Sequence, residues 1–180
     1  MINNVESYDY VDPNEKWTVI DETTPSFNME CLKSINYYRS KHNSRPLKLD
    51  ENLINFAKKR CEQVSKFEKI DDGRTDDIIS IGENLLRLYD KSNCSFVIGY
   101  WYRLTNFYDY ESNNPLENLS DQQKIQMKQF TQLVWDFTNR VGCAQCDSDK
   151  PPRGRNVVCE FTPAGNVNGL FKANVARPHN

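Results

Sequence analysis

The sequence is poor in the residues that most catalytic centres need. Its 180 residues hold two histidines, His42 and His179, and the second stands next to the C-terminus. A Ser-His-Asp triad would have to recruit His42, and no GxSxG nucleophile elbow is present to supply the serine. A Cys-His pair needs a free thiol, which an even cysteine count argues against. Excess charge of either sign is also missing. The 23 Lys and Arg against 25 Asp and Glu leave a formal charge of −2, without the basic stripe of a nucleic-acid-binding protein. No run of about 18 apolar residues occurs, so no segment is built to span a bilayer. There is neither an internal repeat nor a low-complexity tract. A signal peptide is absent too, so secretion would imply that one has been removed, and Met1 is then not native to the mature chain.

What the chain does contain is six cysteines: Cys31, Cys61, Cys94, Cys143, Cys146 and Cys159. An even count fits three bridges formed in an oxidising compartment. Zinc is the rival reading, because Cys143-Ala-Gln-Cys146 is a CxxC. A structural zinc site asks for four ligands, usually as two close pairs, and Cys159 stands alone. Disulfides are the better reading, and no metal or other cofactor is expected. Two N-glycosylation sequons, Asn93-Cys94-Ser95 and Asn118-Leu119-Ser120, agree with a secretory route. Asn118 is the preferred acceptor, since a glycan on Asn93 would sit beside a bridged cysteine.

With 38% hydrophobic residues, a chain of this length predicts one domain that buries roughly 70% of its unfolded surface. Residues 1–27 are polar and without periodicity, and read as an arm; residues 28–180 read as the domain. Helical spacing of Met29, Leu32, Ile35 and Tyr38 predicts a helix over 29–41, stopped by Arg45-Pro46. Asp50 reads as the N-cap of a second helix to about Phe67, with Leu53, Ile54, Ala57, Cys61 and Val64 inward. Residues 68–77 read as a loop, and 78–88 leaves strand and helix open. A third helix is predicted over 95–108, a polar loop over 109–124, and a short helix over 129–135. Arg140–Cys146 and Asn156–Thr162 read as strands joined through a Pro-Pro-Arg-Gly turn. Helices interleaved with late strands give a layered α+β domain.

Four ordered motifs carry a resemblance. Pro46-Leu47-Lys48-Leu49-Asp50-Glu51-Asn52-Leu53 is similar to a PLxWDxxL segment, and Gly82-Glu83-Asn84-Leu85 is a GENL box. Phe130-Thr131-Gln132-Leu133-Val134-Trp135 with Val141-Gly142-Cys143 resembles HYTQxVW…GC. Val158-Cys159-Glu160-Phe161-Thr162-Pro163-Ala164-Gly165-Asn166 resembles VCxYxPxGN. Together they resemble the CAP superfamily, most of all the venom-allergen-like proteins of parasitic helminths. The resemblance implies a three-layer α-β-α sandwich, secretion to the extracellular space, and the bridges Cys143–Cys159, Cys61–Cys146 and Cys31–Cys94.

Many CAP domains hold two histidines and two glutamates in a central cleft that binds zinc, and such a set suits metal-assisted chemistry. Carried over by motif, three of the four positions fail here: Ile35 precedes Asn36-Tyr37-Tyr38-Arg39, Leu104 follows Trp101-Tyr102-Arg103, and Gln129 precedes the Phe-Thr-Gln box. Glu83 alone is retained, and His42-Asn43 lies too close to Pro46 to replace the first motif. The resemblance therefore implies a protein without catalytic residues or a metal site, with a metal-dependent hydrolase the least favoured class.

The family also binds lipids in two places. Residues 106–116 resemble its sterol loop, with Phe107, Tyr108, Tyr110, Pro115 and Leu116 as contact candidates. The closing aromatic of that motif is replaced here by Pro115-Leu116. An acyl chain would lie between the first and third helices, lined by Met29, Leu32, Ile35, Phe96, Val97, Tyr100 and Leu104. Each buried methylene is worth about 0.8 kcal/mol. The same residues are also what an ordinary core would use. Sterol and fatty acid are the expected partners. The alternative is a secreted effector that engages host proteins.

Overall fold

A computed structural model describes residues 18–66, 80–89, 91–148 and 154–179. Residues 1–17 of the arm expected over 1–27, the loop at 68–77 and the Pro151-Pro152-Arg153 part of the turn lie outside these residues. In chain order the elements are β1 (Val19–Asp21), α1 (Pro25–Lys41), β2 (Lys48–Leu49), α2 (Glu51–Val64), β3 (Gly82–Leu88) and α3 (Cys94–Arg103). A 3-10 turn (Leu104–Phe107) leads to β4 (Tyr108–Asp109) and β5 (Asn114–Pro115). The chain continues with α4 (Asp121–Val134), β6 (Arg140–Ser148), β7 (Gly154–Thr162) and α5 (Phe171–Asn174).

The sheet runs β1-β6-β7-β3, with β2 sharing the outer edge of β6. One face is covered by α2, where Ala57, Cys61 and Val64 pack on Leu85, Ala144 and Val158. The other face carries the larger core, in which Phe27, Cys31 and Ile35 of α1 meet Val97, Ile98 and Trp101 of α3 and Met127, Phe130 and Leu133 of α4. This is the α-β-α sandwich. Covered on both faces, β7 is buried from Arg155 to Phe161, including the polar side chains of Arg155, Asn156 and Glu160.

Local chemistry explains most boundaries. Asp50 Oδ1 accepts the Asn52 and Leu53 N–H groups and starts α2. Gly142 is required because a Cβ there would collide with the Leu53–Ile54 backbone, so closely does β6 approach α2. Helix α1 begins at Pro25, capped by Thr24, and β1 pairs with β6 from Val19↔Ser148 to Asp21↔Cys146. The boundary expected between residues 27 and 28 lies within α1. Helix α3 ends at Arg103, and Tyr108 is already a strand residue, which corrects the longer helix expected to 108. Helix α4 starts eight residues before the expected position 129, because Ser120 and Gln123 form a reciprocal capping box.

All three bridges form, Cys31–Cys94, Cys61–Cys146 and Cys143–Cys159. Cys143 and Cys159 sit directly opposite in the β6–β7 ladder with Cα atoms 4.1 Å apart, the close spacing of a non-hydrogen-bonded pair. The CxxC is thereby divided between two bridges. Arg39, fully buried, holds α1 to the end of α4: its guanidinium donates to the carbonyls of Leu133 at 3.0 Å, Trp135 at 2.9 Å, Thr138 at 3.0 Å and Arg45 at 2.6–2.8 Å. Asn36 brackets Leu47, accepting its N–H at 2.8 Å and donating to its carbonyl at 3.1 Å. The Asn-x-x-Arg of α1 is thus a framework motif.

Candidate functional site

The four positions of the expected central cleft do not converge. Strand β3 alternates, so Glu83, Leu85 and Arg87 face α2 while Asn84, Leu86 and Leu88 face α1, α3 and α4. Glu83 accepts two hydrogen bonds from Arg60 of α2, at 2.7 Å and 3.3 Å. Both side chains are nearly buried, at 13% and 4% exposure, where a paired carboxylate is held for structure. Ile35 and Leu104 lie on the opposite side of the sheet within the main core, exposed by 0% and 7%. Gln129 is used in packing α4 on the edge strand: its side chain donates to the Leu85 carbonyl at 3.1 Å, and its own carbonyl accepts from Asn84 at 2.8 Å. Two aliphatic side chains, one amide and one ion-paired carboxylate facing away make no donor set for zinc. Among the described residues the cluster with metal-ligand spacing is Cys31, Cys143 and Cys159, whose sulfurs are all spent in disulfides.

The acyl-chain candidates divide in the same way. Ile35, Val97 and Leu104 are core residues, Leu32 and Tyr100 are half-buried against them, and Met29 and Phe96 are 44% and 49% exposed. Between α1 and α3 lie the Cys31–Cys94 bridge and a 2.8 Å hydrogen bond joining the Ser34 and Ser95 hydroxyls. The seven residues thus range from packed core to exposed surface. Met29 opens instead on a cleft of about 250 Å³ that it shares with Pro25, Leu49, Ile54 and Lys58, between α1 and α2.

The loop at 106–116 is a small hairpin, β4 pairing with β5 as Tyr108↔Pro115 and Asp109↔Asn114. Its aromatics turn inward. Tyr108 is 4% exposed, with rings of Tyr110, Phe130 and Phe171 around it at 4.9, 6.1 and 6.4 Å. Burial pushes its phenol up to about 12, helped by Tyr110 and Asp109. The Tyr110 and Thr105 hydroxyls are hydrogen-bonded at 2.7 Å, and the Arg177 guanidinium lies 5.6 Å over the Tyr110 ring. The two tyrosines expected as ligand contacts are thus the floor of the hairpin. Its outer side carries the opening, a groove of about 480 Å³ lined by Asp109, Ser112, Pro115, Leu116, Glu117, Asn118 and Leu119. Leu116 is 43% exposed. Asp109 is held below the usual carboxylate range by the Ser112 hydroxyl and the Glu111 N–H. Sequence reading missed Asp109, Ser112, Glu117 and Leu119; the inward turn of the tyrosines, which leaves the polar and aliphatic residues outside, has no signal in the motif.

His42, the α1 C-cap, supports the hairpin from beneath. Its Nδ1 lies 2.6 Å from the Ala176 carbonyl, which fixes that nitrogen as the donor, so Nε2 accepts from the Tyr102 hydroxyl at 3.2 Å. Burial holds its pKa below the usual histidine value, opposed by the Ala176 bond and reinforced by His179 and Lys41. The C-terminal segment ties down the same corner: the His179 N–H donates to the Lys41 carbonyl at 2.8 Å, and Arg177 pairs with Glu111.

With this geometry in place, comparison with known proteins is informative. The profile of the CAP family, described as the cysteine-rich secretory protein family, matches residues 32–161. A probable pathogenesis-related protein of Candida albicans, CaO19.2336, is 31% identical over 146 residues, covering 80% of this chain and 63% of that protein. Secreted protein PRY1 of the same organism is 30% identical over 155 residues, covering 86% of this chain and 33% of that one. The chain therefore spans under two thirds of the length of either relative. In structure, the Schistosoma mansoni venom allergen-like protein 4 superposes with a TM-score of 0.60 at 19% identity, over 87% of this chain and 96% of that one, which speaks to the fold. Four ordered motifs, three bridges, the sandwich and the profile match agree: the chain belongs to the CAP, or cysteine-rich secretory protein, family.

Proposed function

We propose that the protein is a secreted, non-catalytic lipid-binding protein that takes a sterol in the groove outside the 106–116 hairpin. The observation that carries this reading is the groove itself. At about 480 Å³ it falls within the roughly 300–1,000 Å³ range of small-molecule sites. Pro115, Leu116 and Leu119 offer an apolar wall for a flat ring system, while Asp109 and Ser112 offer partners for a hydroxyl. The tyrosine floor makes the wall stiff, because packed aromatic rings leave the hairpin little freedom. Secretion is supported by three disulfides and by a relative described as a secreted protein. The non-catalytic reading is supported by Ile35, Leu104 and Gln129 at cleft positions and by the Arg60 partner of Glu83.

A fatty acid is the second ligand class, and the Met29 cleft favours it. At about 250 Å³, below the usual ligand range, it would admit only part of a chain, and a ligand carboxylate would have to compete for Lys58 with Asp21, which pairs with it at 3.1 Å.

Labelled cholesterol and palmitate, titrated against wild type and Leu116→Asp, test the proposal. Saturable cholesterol binding is expected, weakened about tenfold in the variant, which is roughly 1.4 kcal/mol. Folding should be unaffected, since surface substitutions stay within about 0.5 kcal/mol. Absence of binding for both lipids on the wild type would sink the reading and turn attention to protein partners.

A further inference from the structure

The two sequons are equivalent in sequence and unequal in the fold. Asn93 is the N-cap of α3, its Oδ1 accepting the Phe96 N–H at 2.9 Å. Cys94 beside it is fully buried in the bridge to Cys31. Ser95 is stitched to α1 twice, its hydroxyl hydrogen-bonded with Ser34 at 2.8 Å and its N–H donating to Glu30 at 3.0 Å. A bulky group there would leave from a helix start already sewn to its neighbour. Asn118 is exposed, in the turn between β5 and α4, and it forms part of the groove wall with Leu116 and Leu119.

We propose that Asn118 carries an N-linked glycan and that this glycan screens the hairpin groove, setting how fast an apolar ligand enters. The attachment itself is independent of the lipid reading; the control of ligand entry rests on it. Glycans need a surface asparagine with free space around it, and Asn118 has both. A sugar bonded to Nδ2 of a residue that lines the groove is placed at its opening. Its hydroxyls keep their hydration and cannot pack on Leu116, so an incoming sterol must wait for the glycan to swing aside. Association slows for that reason, while the apolar wall that holds the bound ligand is unchanged. The same shield covers Leu116 in the empty protein, where its exposure would otherwise favour association between copies.

Secretion of wild type, Asn118→Gln and Asn93→Gln from a eukaryotic host tests both parts, with intact mass before and after endoglycosidase, radical footprinting of Leu116, and stopped-flow association of a fluorescent sterol. Endoglycosidase is expected to lower the mass of wild type and Asn93→Gln and to leave Asn118→Gln unchanged. Trimming should raise Leu116 labelling and speed sterol association on the order of tenfold, as for removal of a conformational gate. An unmodified Asn118 overturns the proposal. A modified Asn118 with unchanged Leu116 labelling and unchanged association overturns the screening. If Leu116 labelling rises but the trimmed protein and Asn118→Gln take up no sterol, the lipid reading fails while attachment and shielding stand.

Discussion

Leu104 begins the 3-10 turn that enters the hairpin and is 7% exposed; Leu116 ends the hairpin and is 43% exposed. These two leucines belong to two regions that treat apolar side chains in opposite ways. In the interior, Ile35, Val97 and Leu104 fill the space between helices and sheet, and no ionisable side chain of the expected cleft points into it. At the hairpin, the aromatics are drawn inward and aliphatic and polar side chains are left to form an open groove. An aliphatic residue at a buried position closes a cleft, because packing is worth more than a void. The same residue type on a rim above a stiff aromatic floor stays available. Binding in this protein is therefore expected at the edge of the sandwich and not at its centre.

The sharpest way to break this comparison is to restore the interior donors. Ile35→His with Leu104→Glu should cost about 4 kcal/mol or more in urea unfolding, because two polar groups enter a packed core without partners. Added zinc should not raise the midpoint, since Glu83 faces α2. A zinc-dependent gain in stability would show that the interior can still be assembled as a metal site.

His42, placed between core and hairpin, should show a pH dependence of middling size. Its folded-state pKa is lowered by burial, so the unfolded chain takes up a proton first as the pH falls. Its contribution is complete above about pH 6.5, the unfolded value, and is lost as the pH drops toward the lower folded value. Thermal melts between pH 7.5 and 4.5 should fall more steeply for wild type than for His42→Asn. Equal slopes would remove His42 from the hairpin's support.

The smallest effect is expected at Tyr108. Its hydroxyl is buried with no hydrogen-bond partner among the described residues, so Tyr108→Phe should leave the melting temperature unchanged or raise it slightly. Sterol binding should be unaltered. A marked loss of binding with retained stability would show that the hydroxyl reaches ligand and that the floor is part of the site.

Much of the fold was legible in the residues. Asp50 before an apolar helical face, the composition of the two late strands with the turn between them, and the terminal motifs all led to elements that form, and the family resemblance led to the correct bridges. Helix α4 was only half legible. Its N-terminal half, Asp121 to Lys128, has two large apolar side chains, Ile125 and Met127, so periodicity is silent there. The signal that does mark the start is Ser120-x-x-Gln123, a capping pair rather than a hydrophobic pattern. Strand β3 was ambiguous because its short apolar run, Leu85 to Leu88 broken only by Arg87, fits a strand and a helix segment equally well. The groove was not legible at all, since spacing shows which residues share a hairpin but not which of them turn inward.

By itself, the sequence determined the family and the even cysteine count that forms three bridges, because these are matters of which residue stands at which motif position. Only the tertiary structure decided that Glu83 faces Arg60 across the sheet from Ile35 and Leu104, that the tyrosines are floor and Leu116 is wall, and that Asn118 stands on the groove while Asn93 caps a helix. The reason is geometric. A strand with period two sends alternate side chains to opposite faces, and in a sheet covered on both sides the pattern does not say which face is which until α2 and α4 have packed against it.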